Sequence, residues 1–110
     1  GFAGYGMPDI DAGRRAEKLI CQWQSKVYQE LDTALVYFLI ATVKLNLTVI
    51  ENILDFLNWE RKRRFKVEKS RKLWGELALI SSNRLRRSLL KRWEPAVETV
   101  IFILAMSGEI

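Results

Sequence analysis

No glycine and no proline interrupts the chain between Gly13 and Gly75. Across that interval apolar residues recur at steps of three and four, the repeat of a helix, and strand-like alternation is sustained nowhere. The spacing predicts an all-α chain, a compact bundle of about four to five helices. At 110 residues, 49% of them hydrophobic, the chain is long enough for one core but not two. That composition excludes a disordered basic tail as a description of the whole. Residues 1–8 read as a flexible lead, with Met7 a candidate native start, and residues 9–110 as a single helical domain.

Asp9 or Asp11 is placed to cap a first helix whose stripe is Ala16, Leu19, Ile20, Trp23 and Val27. The next helix, about Lys26 to Leu45, turns Val27, Leu31, Leu35, Phe38 and Leu45 to one side. Tyr37, Leu39, Ile40 and Val43 make its middle apolar all round, so it is the expected centre of the bundle. Asn46 tolerates a bend, and Thr48-Val49-Ile50-Glu51 has the capping-box pattern. A helix from Thr48 to about Phe65 follows, with Val49, Ile53, Phe56 and Leu57 inward. From about Ser70 to Trp93, Trp74, Leu77, Ala78, Ser81, Leu85 and Leu89 share one face. Lys69, Lys72, Arg84, Arg87 and Lys91 fall roughly opposite, and Ser81-Ser82-Asn83 is the place for an interruption. Gly75 marks either a close helix contact or a helix start. Pro95 fits the first turn of a last helix, and Val97–Met106 leaves almost no polar face, so this helix is either buried or packed into a second copy. Thr33–Ile50 carries Lys44 as its only charge and approaches the length of a membrane span, but Lys44, Asn46 and a capping signal inside it argue against one.

Charge is strongly polarised. From Asn58 to Trp93 thirteen Lys/Arg face three Glu, about +10, whereas the rest of the chain holds five Lys/Arg and ten Asp/Glu, about −5. The total of +5 conceals this division. Its centre is Arg61–Lys72, eight positive charges against one negative, expected to straddle the end of one helix and the start of the next. Charges so crowded repel, which calls for something acidic nearby, in this chain or another. Arg61-Lys62-Arg63-Arg64 also has the composition of a nuclear import signal.

Such a segment suits phosphate contact, because Lys and Arg displace counterions from a nucleic-acid backbone without reading bases. The expected nucleic-acid-binding residues are Arg61, Lys62, Arg63, Arg64, Lys66, Lys69, Arg71, Lys72, Arg84, Arg87 and Lys91. Phe65, Trp59, Trp74 and Trp93 lie among or beside them and are candidates to stack on unpaired bases. The bland alternative is a solvated helix surface that keeps the protein soluble. Two further readings are a scaffold that forms a homo-oligomer through Val97, Val100, Ile101 and Leu104 and offers its cations to an acidic protein partner, and a peripheral protein on an anionic membrane surface with Phe65 and a neighbouring tryptophan as anchors.

Enzymatic classes find little support. Cys21 is the only cysteine and histidine is absent, so neither an intrachain disulfide nor a cysteine zinc site is available, and the commonest general base is missing. The acidic pairs Asp9/Asp11, Glu30/Asp32, Glu51/Asp55 and Glu94/Glu98 are accounted for by capping and surface roles. The expectation is a non-enzymatic protein without cofactor or metal, in a reducing intracellular compartment, cytoplasmic or nuclear. Leu31-Asp32-Thr33-Ala34 and Trp74-Gly75-Glu76-Leu77 resemble two fragments of the hepadnavirus core protein, also helical, in the same order but at a different separation. Eight of 110 residues add no expectation beyond the helical class.

Overall fold

The computed structural model describes residues 10–24 and 31–107, and over these the chain forms six helices. They are α1 (Ile10–Gln24), α2 (Thr33–Thr42), α3 (Leu47–Leu57), α4 (Arg61–Ala78), α5 (Asn83–Trp93) and α6 (Val97–Ser107). Six replaces the four to five expected, because the helix expected to reach Trp93 divides after Ala78, while the break at Asn58 moves a boundary expected near Phe65. The expected lead at residues 1–8, the Asp9 cap and Val27 lie outside the described residues.

Local chemistry sets the breaks. Asn46, not Thr48, caps α3: its side-chain oxygen accepts from the Val49 N–H at 3.0 Å, which leaves Thr48 inside the first turn. At the far end Asn58 takes up a left-handed conformation with φ 54°, tolerated by Asn better than by most residues. Its N–H donates to Asp55 O and the Trp59 N–H to Leu54 O, the paired bonds of a Schellman turn. The helix expected to run to Phe65 therefore stops at Leu57, and the whole basic run moves onto α4. Beyond Ala78 the short polar residues Ser81 and Ser82 lie between helices, and Ala78, Ser81 and Leu85 are exposed rather than on a continuous inward stripe.

α6 is the hub, touching α1, α2 and α4, while α2 also packs on α1 and α4. Ile101 and Phe102 are fully buried, as are Leu35, Val36 and Leu39 of α2. α3 and α5 pack more thinly around this group, burying Ile50 and Leu54 from one and Leu89 from the other. The expected inward face of α3 is thus displaced: Val49 and Ile53 are half-buried, Leu57 is exposed, and Phe56 is 88% exposed. Apolar residues cover about half the circumference of α3, and its neighbours enclose only one side of that arc. No helix among the described residues is long and apolar enough to cross a membrane. The Thr33–Ile50 stretch divides at residues 43–46 instead.

A Cβ built at Gly75 meets nothing within 4 Å, so this glycine marks no close contact. Gly75→Ala should raise stability by about 1 kcal/mol through helix propensity alone. Phe102→Ala should cost about 3–5 kcal/mol, and Phe56→Ala, on the open side of α3, about 0.5 kcal/mol or less. Urea unfolding of the three variants checks these values, and a large loss at Phe56 would contradict the orientation of α3.

Candidate nucleic-acid interface

α4 starts at Arg61, so four consecutive cations occupy its first turn, where the positive end of the helix dipole disfavours them. That turn contains no acidic residue and Glu60 supplies no side-chain cap. The compensating acceptors come from other elements. Arg63 donates from Nε and Nη2 to the two carboxylate oxygens of Asp32 at 2.7 and 2.6 Å, a bidentate pair. Its guanidinium carbon lies 3.9 Å from the centre of the Trp59 ring, and Trp59 packs against Phe38 with centroids 4.7 Å apart. Asp32 also caps α2 by accepting from the Leu35 N–H at 3.2 Å. Partial burial pushes the Asp32 carboxyl up, but the Arg63 and Leu35 hydrogen bonds and the charges of Arg63 and Lys66 outweigh it, so the pKa lies below its ordinary value.

Three more cations of the run are committed internally. Arg64 Nη1 lies 2.8 Å from Asp55 Oδ1, and Lys66 Nζ lies 3.7 Å from Glu98 Oε1, a buried carboxylate in the first turn of α6. Arg71 donates to the Thr42 and Leu45 carbonyls at 2.9 and 2.7 Å, closing the end of α2, which has no basic residue in its own last turn. Burial lowers the Arg71 pKa. Arg63 and Arg71 were expected to face a partner, and both instead hold the fold.

The remaining expected residues face solvent. Arg61, Lys62 and Lys72 are exposed and Lys69 half-exposed on α4, and Arg84, Arg87 and Lys91 are exposed on α5. None of these seven makes an ion pair among the described residues. Sequence reasoning passed over Arg92, exposed beside Lys91 in the last turn of α5, because it falls one step off the strict face. Arg86 differs, since its Nε donates to Ile80 O at 2.8 Å and ties down the turn before its helix. α5 as a whole has five cations and no carboxylate.

Two recesses show how the helices lie. One of about 450 Å³ has Trp74, Leu77 and Ala78 of α4 facing Asn83, Arg86, Arg87 and Leu90 of α5. The other, about 370 Å³, has Lys62, Phe65, Lys66 and Lys69 facing Glu94, Pro95 and Ala96. α5 therefore runs back along α4, and its last turn, with Lys91 and Arg92, leads to the recess rimmed by Lys62 and Lys69. Glu94, held left-handed at φ 44°, puts one carboxylate at that border.

Of the expected oligomer residues, Ile101 is fully buried, and Val97, Val100 and Leu104 are half-buried. α6 is enclosed by the bundle, and exposed apolar residues lie instead at Phe56 and Leu57, the last two residues of α3, among other positions. Among the described residues no group of three or more His, Cys, Asp or Glu is placed to hold a metal ion. No protein-family model, no curated protein and no solved structure gives a significant match to this chain.

The Asp32 contribution to stability has a definite sign. Its folded pKa is depressed below 3.8, so the contribution is present above that value and disappears as pH falls through the folded pKa. The stability gap between wild type and Asp32→Asn should be constant near neutrality and close below about pH 4, measured by urea unfolding across that range. Arg71→Ala should cost about 2 kcal/mol by stripping two part-buried carbonyls of a charged donor, and calorimetric melting checks this.

Proposed function

We propose that the chain is a non-enzymatic helical module that holds RNA or DNA by phosphate contacts from the exposed cations of α4 and α5. The observation that carries this reading is the division of labour within the basic segment. Arg63, Arg64, Lys66 and Arg71 are taken by acceptors inside the molecule, while Arg61, Lys62, Lys69, Lys72, Arg84, Arg87, Lys91 and Arg92 have no such partner among the described residues. Cations held only by water and counterions release those counterions when phosphates replace them. On α5, which has no carboxylate, their helix neighbours are of like charge, so a polyanion approaching there also relieves repulsion.

Self-association is the second reading, carried by the exposed Phe56 and Leu57 at the end of α3. Sedimentation at rising concentration tests it, and Phe56→Asp should shift any dimer toward monomer.

For the first reading, binding of a labelled oligonucleotide should weaken steeply with salt and depend little on base sequence. The combined variant Lys62→Ala, Lys69→Ala, Lys72→Ala should flatten the log–log salt slope by roughly 2 to 3, about 0.7 to 0.9 for each phosphate no longer neutralised. Arg71→Ala should leave that slope unchanged. Absence of binding at low salt would remove the reading.

A further inference from the structure

The basic segment of α4 contains an aromatic ring that the core does not use. Phe65, in the second turn of α4, is 61% exposed, an unusual state for a residue that ordinarily buries its ring. The tryptophans near the basic run are engaged elsewhere. Trp59 lies between Phe38 and the Arg63 guanidinium, Trp74 meets Phe102 edge-on with centroids 6.0 Å apart, and Trp93 is partly buried against the core. Phe65 has no ring partner among the described residues.

It stands as a ridge between two recesses, lining both. On one side is the recess of Lys62, Lys66 and Lys69, and on the other a recess of about 360 Å³ with Trp59, Arg61, Arg64 and Glu68. Helix geometry places Arg61 and Lys69 one turn before and after the ring, about 5–6 Å along the axis, so it has a cation above and below. We propose that Phe65 is a base-stacking residue, with a nucleobase of a single-stranded RNA or DNA against its ring while Arg61, Lys62 and Lys69 take the flanking phosphates. This rests on the phosphate-binding reading and extends it by naming the strand state of the ligand.

The chemistry selects the single strand. In a duplex both faces of each base are covered by neighbours, and freeing one requires unstacking, whereas an unpaired strand presents a bare π-face. Stacking on an aromatic ring tolerates any base, which agrees with a surface that otherwise offers only charge. A lipid anchor fits less well. Membrane attachment by this route needs a broad apolar helix face, and the positions immediately around Phe65 are Arg61, Lys62, Arg64, Lys66, Glu68 and Lys69. The Glu68 carboxylate beside the ring can accept from base amino groups.

Fluorescence anisotropy of labelled oligouridylate, an abasic oligomer of equal length and a duplex of equal length tests the assignment. Wild type should prefer oligouridylate to the abasic oligomer, and Phe65→Ala should lose about tenfold on oligouridylate alone. Phe65→Trp should retain or improve that affinity. The ring is exposed, so circular dichroism and melting of both variants should match wild type. Unchanged oligouridylate binding by Phe65→Ala, while Lys62→Ala/Lys69→Ala still weakens it, would overturn the stacking role and leave phosphate binding intact. Equal losses on all three polymers would overturn it too. No binding of any polymer by wild type at low salt would remove both readings. Phe65-dependent capture by vesicles of phosphatidylserine and phosphatidylcholine, with no preference for bases over abasic sites, would replace a strand by a membrane.

Discussion

Two helices without a polar face govern this molecule. α2 and α6 have to be enclosed on more than one side, and they accomplish most of this on each other and on α1 and α4. Enclosing them creates a second requirement at their ends, where the last carbonyls of a helix have no partner within it. Neither helix has a basic residue in its last turn. Arginines from neighbours fill the gap: Arg71 of α4 on Thr42 and Leu45, and Arg15 of α1 on Ala105 O at 2.6 Å. A cation at a helix C-terminus also suits the dipole.

This use of arginine divides the basic segment. The forked guanidinium satisfies paired carbonyls or a carboxylate, so Arg63, Arg64 and Arg71 turn to acceptors of the chain itself. Residue type is not the whole rule, since Lys66 pairs with Glu98 while Arg61, like Lys62, Lys69 and Lys72, stays without an ion pair among the described residues. The Arg63 cluster links three functions in one place: it neutralises a badly placed cation, completes the cap of α2 through Asp32, and packs Trp59 on Phe38. It also engages the Trp59 ring on both sides, whereas Phe65 has no ring partner among the described residues.

α5 is the least enclosed of the cationic helices. It buries Leu89 alone, holds five positive charges, and is tied at its start by Arg86 to Ile80 O. A thinly packed helix of like charges is locally unstable in isolation, and a polyanion laid along it would oppose that tendency. The end of α4 and the start of α5 share one recess, and the chain leaving α5 at Glu94 comes to the start of α4.

Periodicity and composition determined the helical class, the apolar character of α2 and α6, the polarity of charge and the interruption near Ser81, because each is a property of residues close together in the chain. Tertiary structure decided what those signals leave open. The apolar arc of α3 is too wide for spacing to reveal which half is covered, and Ile50 and Leu54 went inward while Phe56 did not. Asn58 ended a helix that propensity alone would have continued to Phe65. Most of all, eight adjacent charges look alike in a sequence, and their separation into structural and open groups depended on Asp32, 31 residues from Arg63, and on Thr42, 29 from Arg71. Whether a cation is free is settled by which acceptor the fold carries to it, and that distance is not written locally.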